Sequence, residues 1–275
     1  DQLLAKQGWR AISMSTSLMV PASVRDPGYK VEELLITVIA ELLHGVKHVA
    51  VGVSSPIPAA AAVLSQLLST SPLRVSIIGN SSRQAWADTG VEMFDCAAQG
   101  RIDAFFLSGG QIDGHGNVNL VGAGEYPQLD VRWRGSFGSA FLYFLVPKVI
   151  LFREKHTRQI FVPKVDFVSA PGTSRPGTYR PGGPYALVTN LCSFSFRKAQ
   201  RCFRLETIHP GHTLEEIRDH TGFNFEVSAN LSESKVPTAA VLDLIRTTVA
   251  DQINDYYPKF NQQVLYRPAS PEQPD

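Results

Sequence analysis

HVAVGVSSPIPAAAAVLSQLLSTSPLRVSIIG, residues His48–Gly79, decides the fold. His48–Val53 is a short apolar run of strand length. Pro56 and Pro58 then open an Ala- and Leu-rich helix that reaches about Leu68. Arg74–Gly79 is a second apolar strand. Upstream, Lys30–Gly45 carries Val31, Leu34, Leu35, Val38, Ile39, Leu42 and Leu43 at three- and four-residue spacing, the stripe of an amphipathic helix stopped at Gly45. Downstream, Asn80-Ser81-Ser82-Arg83 is a polar turn, and Ala87–Gly100 has a helical pattern. Asp103–Leu107 is a third buried strand, followed by Gly109-Gly110. Strand and helix alternating with short connections predict an α/β fold: an open, largely parallel sheet with helices on both faces.

Beyond Gly116 the pattern changes. Val149–Phe152, Ile160–Val162, Asp166–Ser169, Ala186–Thr189 and Arg201–Ile208 read as strands with little helix between them, so the second half is expected to add antiparallel or mixed strands. Thr173–Pro184 is rich in Gly and Pro and predicts an exposed loop. Thr213-Leu214-Glu215-Glu216 is a capping-box start for a short helix ended by Gly222. A last helix is expected over Thr238–Ala250. Residues 1–28 read as a lead segment, disordered or vector-derived, and 29–250 as the folded domain. Residues 251–275 read as a polar tail, and beyond Tyr257 it is expected to run extended on a surface or stay disordered.

Composition narrows the function classes. A formal net charge of +1 gives no global field for nucleic acid or an anionic membrane. No apolar run approaches the roughly 18–20 residues that span a bilayer. The odd set Cys96, Cys192 and Cys202 contains no C-x-x-C pair, which fits a reduced cytoplasmic compartment without signal peptide. P-loop and nucleophile-elbow motifs are absent, and after Gly114 and Gly116 the third dinucleotide-fold glycine is replaced by Asn119. His209 and His212 have metal-pair spacing but sit in a turn sequence before a helix. The alternation Asp113, His115, Asn117, Asn119 fails as a calcium loop, with Val118 and Gly124 at the diagnostic positions. Cys96 reads as a small buried hydrophobe rather than a nucleophile. No metal site is expected.

What remains is Ser108–Asn119, SGGQIDGHGNVN, at the carboxyl end of the third strand, where ligands gather in parallel sheets. Gly109 and Gly110 would let a backbone approach a ligand and offer amides as oxyanion donors, with Gln111 and Asp113 as polar neighbours. A tight turn without chemistry explains the same residues equally well.

The stretch resembles the B subunits of family I CoA-transferases, the glutaconate CoA-transferase type especially. The resemblance takes in the Lys30–Gly45 helix, Arg132–Gly138 (RWRGSFG), Lys164–Gly172 (KVDFVSAPG), Leu187–Asn190 (LVTN) and His209–Phe223, so it covers about Tyr29 to Ala250. It implies an A-type partner subunit in a hetero-oligomer such as α2β2, with an acyl-CoA as substrate and no resident cofactor. It also implies a B-subunit glutamate, just after the second strand, that attacks the thioester. Here Gly79 falls at that position, beside Asn80, and no acid occurs between Leu73 and Ala87. The resemblance thus points to Gly79, Asn80, Gln111 and Asp113 as the catalytic neighbourhood. Ser81, Gly109, Gly110, Gly135, Ser136 and Gly138 would line the acyl-CoA. A branch of the family that also lacks the glutamate hydrolyses a carbon–carbon bond in a cyclic CoA thioester, using an acid of the A-type subunit. Arg134-Gly135-Ser136-x-Gly138 and Val188–Phe196 resemble that branch. A non-catalytic acyl-CoA-binding subunit is the third reading.

Overall fold

The computed structural model describes residues 28–79 and 90–265. The first half runs α1 (Val31–Leu42), β1 (His48–Val51), α2 (Pro56–Leu68), β2 (Arg74–Ile77), α3 (Val91–Ala98) and β3 (Ala104–Leu107). Two small hairpins follow: β4 (Gln111–Ile112) with β5 (Val118–Asn119), and β6 (Gly122–Glu125) with β7 (Gln128–Arg132). Next come α4 (Ser139–Leu145), β8 (Lys148–Arg153), β9 (Pro184–Thr189), β10 (Cys192–Arg197) and β11 (Cys202–Ile208). Then α5 (Leu214–His220), β12 (Glu226–Glu233), α6 (Ala239–Leu244), α7 (Ala250–Asn254) and α8 (Pro258–Phe260) complete the chain, with π-helical turns at Ile245–Val249 and Asn261–Leu265. No helix among the described residues is long and apolar enough to cross a membrane.

The chain divides into two compact units, one of residues 1–45, 53–75 and 236–275, the other of 46–52 and 76–235. In the first, α2 starts on Pro56, whose missing N–H is no loss at the first helical position, and Ala59–Leu64 are wholly buried. Glu33 of α1 accepts the Lys30 amide at 2.7 Å and takes Arg246 bidentately, Nε to Oε1 at 2.6 Å and Nη2 to Oε2 at 2.9 Å. The carboxyl end departs from expectation. Helix starts after Thr238 as expected, with the Thr238 side chain accepting the Val241 amide, but helical structure continues well past Ala250. Residues 258–265 are helical rather than extended. Asn261 and Leu265 are four apart, share one face and are buried. Asn261 Nδ2 donates to Ala250 O and Asn254 Oδ1, both at 2.9 Å, and Lys30 Nζ donates to the Gln263 and Val264 carbonyls.

The eight-stranded sheet runs β12-β11-β10-β9-β8-β3-β1-β2. β1·β3, β3·β8, β8·β9 and β11·β12 are parallel, whereas β9·β10 and β10·β11 are antiparallel, so the mixed second half is as expected. β1 and β3 are buried along their whole length, which is why they read as unbroken apolar runs. In the second unit α3 and α4 pack on the sheet, with Met93, Ala97, Leu142 and Tyr143 in one apolar cluster with Val149, Leu151 and Leu187. Two expected strands are absent. Residues 160–162 and 166–169 are irregular: along the β4–β5 hairpin this stretch forms no ladder, only the isolated bridges Ile112↔Phe161 and, just past it, Val118↔Ala170. Pro163 and Pro171 lack the N–H that would extend either ladder.

Candidate functional site at the sheet switch point

From β1 the chain passes to β2 on one side and returns to β3 on the other, so the strand order reverses between β1 and β3. In open parallel sheets the crevice at the carboxyl ends of such strands is where ligands bind. Gly52 follows β1 there, and Ser108-Gly109-Gly110 follow β3. The Ile78 amide donates to Val51 O at 2.9 Å, which brings the end of β2 and Gly79 to the same edge. Gly79 has φ 84°, the left-handed region that glycine enters without strain. Asn80 and Ser81 lie outside the described residues.

Ser108–Asn119 is a loop held by hydrogen bonds within it and to the segments beside it. The buried Asn119 donates from Nδ2 to Gln111 Oε1 at 2.8 Å and to Gly122 O at 2.7 Å, and its Oδ1 accepts the Val121 amide at 3.0 Å. Gln111 reaches across to Asp166: its Nε2 donates to Oδ2 at 2.8 Å and its Oε1 accepts the Asp166 amide at 3.0 Å. Asp113, 2% exposed, accepts three hydrogen bonds within its own turn, from the His115 and Asn117 amides and from Asn117 Nδ2. Asn117 Oδ1 in turn accepts the Gly172 amide at 3.0 Å. Tyr143 donates its hydroxyl to Gly116 O at 2.7 Å, and burial holds this phenol well above its usual pKa.

The glycines have packing reasons. A Cβ on Gly109 would lie 2.4 Å from Val118 Cγ1, and one on Gly110 would lie 2.2 Å from the Trp133 ring. The Gly110 amide donates to Asn119 O at 2.9 Å, so it is not the oxyanion donor expected of it. Trp133 and Gly135 are tied back through their amides to Val121 O and Leu120 O. Residues 132–138 therefore close over this loop, with Gly135 at φ 89° and Gly138 at φ 70° packed on the Phe94 ring. The Ser136 carbonyl accepts the Ser139 amide at the start of α4. Gly110→Ala is expected to displace the indole and cost about 1–3 kcal/mol in a urea melt. An unchanged midpoint would remove the packing account of this glycine.

The structure thus brings Gln111, Asp113, Gly109, Gly110 and the Gly135–Gly138 turn together in one unit. Asp166 and Trp133, which help hold them, are not visible as such in the sequence because their partners Gln111 and Gly110 are distant in the chain. The same is true of Arg153, the last residue of β8 and a neighbour of Ser108. His209 and His212 do not pair. His209 bonds Ser234 Oγ and Thr189 O, and His212 Nδ1 bonds Glu216. Cys96 packs against the apolar cluster.

An open α/β sheet whose switch-point crevice is floored by a Gly-rich loop is the architecture of a protein that handles a ligand at its strand ends. The family model for Coenzyme A transferase matches residues 33–220, and the chain belongs to that family. Among its relatives, the B subunit of 3-oxoadipate CoA-transferase from Pseudomonas knackmussii is 30% identical over 63% of this chain and 70% of its own length. The cholesterol ring-cleaving hydrolase IpdB subunit of Rhodococcus jostii is 30% identical over 56% of this chain and 62% of its own length. The crystal structure of IpdAB from that organism aligns with TM-score 0.70 at 26% identity, covering 80% of this chain and 94% of that chain. Glutaconate coenzyme A-transferase from Acidaminococcus fermentans reaches TM-score 0.71 over 80% of this chain and 95% of that chain. At 22% identity this is a likeness of fold.

Proposed function

We propose that the chain is the B-type subunit of a CoA-transferase-family enzyme that binds an acyl-CoA thioester together with an A-type subunit and supplies no carboxylate nucleophile of its own. Gly79 is the observation that carries this reading. It follows β2 at the carboxyl edge of the sheet, where the resemblance to the family expects the glutamate, and no acid occurs between Leu73 and Ala87. Without that carboxylate neither an acyl-glutamyl anhydride nor a glutamyl-CoA thioester can form on this chain. The thioester would lie in the crevice between the ends of β1 and β3, against Ser108–Gly110, with CoA as a substrate moiety.

Within this reading, the carbon–carbon hydrolase is favoured over CoA transfer by Gly79 and by the likeness to the cholesterol ring-cleaving hydrolase. Water cleaves the acyl carbon skeleton while the thioester survives, and the general base comes from the A-type partner. CoA transfer stays in play through the similarity to 3-oxoadipate CoA-transferase, and would require a substitute acid. Because hydrogen bonds within the loop engage the carboxylate of Asp113, and bonds to Asn119 and Asp166 engage the amide of Gln111, both are assigned to shaping the site rather than to proton transfer.

Trapping tests the proposal. The complex with its A-type partner is incubated with an acyl-CoA and treated with borohydride, which reduces an enzyme thioester. No adduct is expected on this chain, and one found here would overturn the reading. Gly79→Glu must hold a side chain at φ 84°, at a cost of about 1–2 kcal/mol, so only a weak adduct is expected from that variant.

A further inference from the structure

Two unfavourable features meet at the turn that leads into α2. Ser54 has φ 59°, the left-handed region that a residue with a side chain enters only at a cost. The turn does little to hold itself there. Val53 is 57% exposed, Ser55 caps α2 without a side-chain hydrogen bond, and Pro56 and Pro58 have no N–H to donate. Ser55 Oγ lies 3.5 Å from Val53 O, the outer limit of a hydrogen bond. What backs the turn comes from the far end of the chain, within the same compact unit. Tyr257 is 8% exposed, and its buried hydroxyl has no hydrogen-bond partner among the described residues. Burial pushes this phenol up to about 12; the Ser55 backbone beside it works against that rise, yet no hydrogen bond is completed. Removing an unpaired buried hydroxyl from an otherwise intact ring is neutral or stabilising, unless a second conformation uses it. Sparsely populated backbone conformations cluster at switch regions, and the unpaired hydroxyl is a second, independent sign at the same turn.

We propose that the turn at residues 53–55 has two positions and that the Tyr257 hydroxyl helps to select between them. In the first, the one seen in the structure, Ser54 is left-handed and the hydroxyl proton has no acceptor. In the second, Ser54 lies in the extended region, the adjoining peptides are turned over, and one of their carbonyls accepts that proton. Acyl-CoA favours the second position, so part of its binding free energy is relief of what the first position costs. The inference rests on the acyl-CoA reading above, which puts the thioester at the ends of β1 and β3; the turn starts two residues past the end of β1. Tyr257 is thus a positioning residue that acts through the turn. It lies beyond residues 33–220, the stretch that matches the family model.

Acetyl-, butyryl- and benzoyl-CoA are titrated by calorimetry into the complex with the A-type partner, and the tightest binder is used with the variants. Thermal melts without thioester run in parallel. Tyr257→Phe keeps the ring and drops the hydroxyl. It is expected to raise Tm by about 2–4 °C and to weaken thioester binding about 5- to 20-fold. Those opposite signs separate a hydroxyl used in the second position from one that merely supports the fold. Ser54→Gly makes the left-handed turn inexpensive and should weaken binding about fivefold. A Tyr257→Phe complex whose Tm does not rise, or whose affinity matches wild type, overturns the role of Tyr257. Wild-type affinity in Ser54→Gly overturns the two-position turn. Binding of none of the three thioesters by the wild-type complex overturns the acyl-CoA reading, and this inference with it.

Discussion

Replacing Arg246 by methionine is expected to destabilise the protein by about 3–5 kcal/mol. Glu33 is 1% exposed, and Arg246 supplies two of the three hydrogen bonds to its carboxylate, leaving the Lys30 amide as the third. Arg246 also donates to Gly28 O at 2.8 Å, so its loss unties the chain before α1 as well. What makes the change severe is the charge left behind: a carboxylate out of water with one donor. The pair itself adds little over an apolar replacement of similar volume. Glu33→Leu with Arg246→Met should therefore recover most of the loss. Urea unfolding of the single and double variants decides it. A single variant within about 1 kcal/mol of wild type, or a double variant no better than the single, would sink the account.

The sequence could not announce that pair. Glu33 and Arg246 are 213 residues apart, and on a helical pattern each looks like a solvated charge. The strands that make the switch point are legible, because β1, β2 and β3 are short apolar runs and burial on both faces needs nothing else. Residues 160–162 and 166–169 share that apolar character yet form no strands. Their nearest partners are the two-residue β4 and β5, too short to template a ladder, and prolines stand beside them. The tail misleads for a related reason: its polar composition hides Asn261 and Leu265, one helical turn apart on a buried face.

At the site, the turn SGGQIDGHGNVN is legible as a turn and as a family resemblance, but not as a mechanism. Its glycines read equally well as a ligand's approach path or as a tight connection. The structure gives Gly110 a packing reason, the Trp133 ring, and engages its amide with Asn119. What favours a ligand here is therefore the topology, the reversal between β1 and β3, rather than the glycines. In sequence Arg153 only terminates the apolar run Val149–Phe152. Its position beside Ser108 emerges only once β8 is known to pair with β3.

Acid is expected to unfold this protein steeply through two buried histidines. His156 donates or accepts at both nitrogens, Nδ1 with Thr189 Oγ1 and Nε2 with Thr221 Oγ1, each at 2.9 Å. Thr221 gives its own proton to Ile217 O at 2.6 Å, so it accepts from Nε2, and Nδ1 must be the unprotonated nitrogen. A second ring proton would point at Thr189 Oγ1, which already accepts the Leu191 and Cys192 amides. Burial pushes His156 down to about 3, with His220 adding to the effect, and pushes His209 down to about 4. Burial raises the nearby Cys192 thiol, so no thiolate is available to balance an imidazolium. Both folded values lie below the ordinary value near 6.5, so between them the unfolded chain binds more protons. The stabilisation is complete above about pH 6.5 and is lost as the pH falls towards 4 and 3. At about 1.4 kcal/mol per pH unit for each histidine, the two together remove about 5 kcal/mol by pH 4.5. Urea melts from pH 7.5 to 4.5 on wild type and on the His156→Gln, His209→Gln double variant measure this share. The double variant should start lower at pH 7.5 and decline far less on acidification; parallel declines would assign the acid sensitivity to other groups.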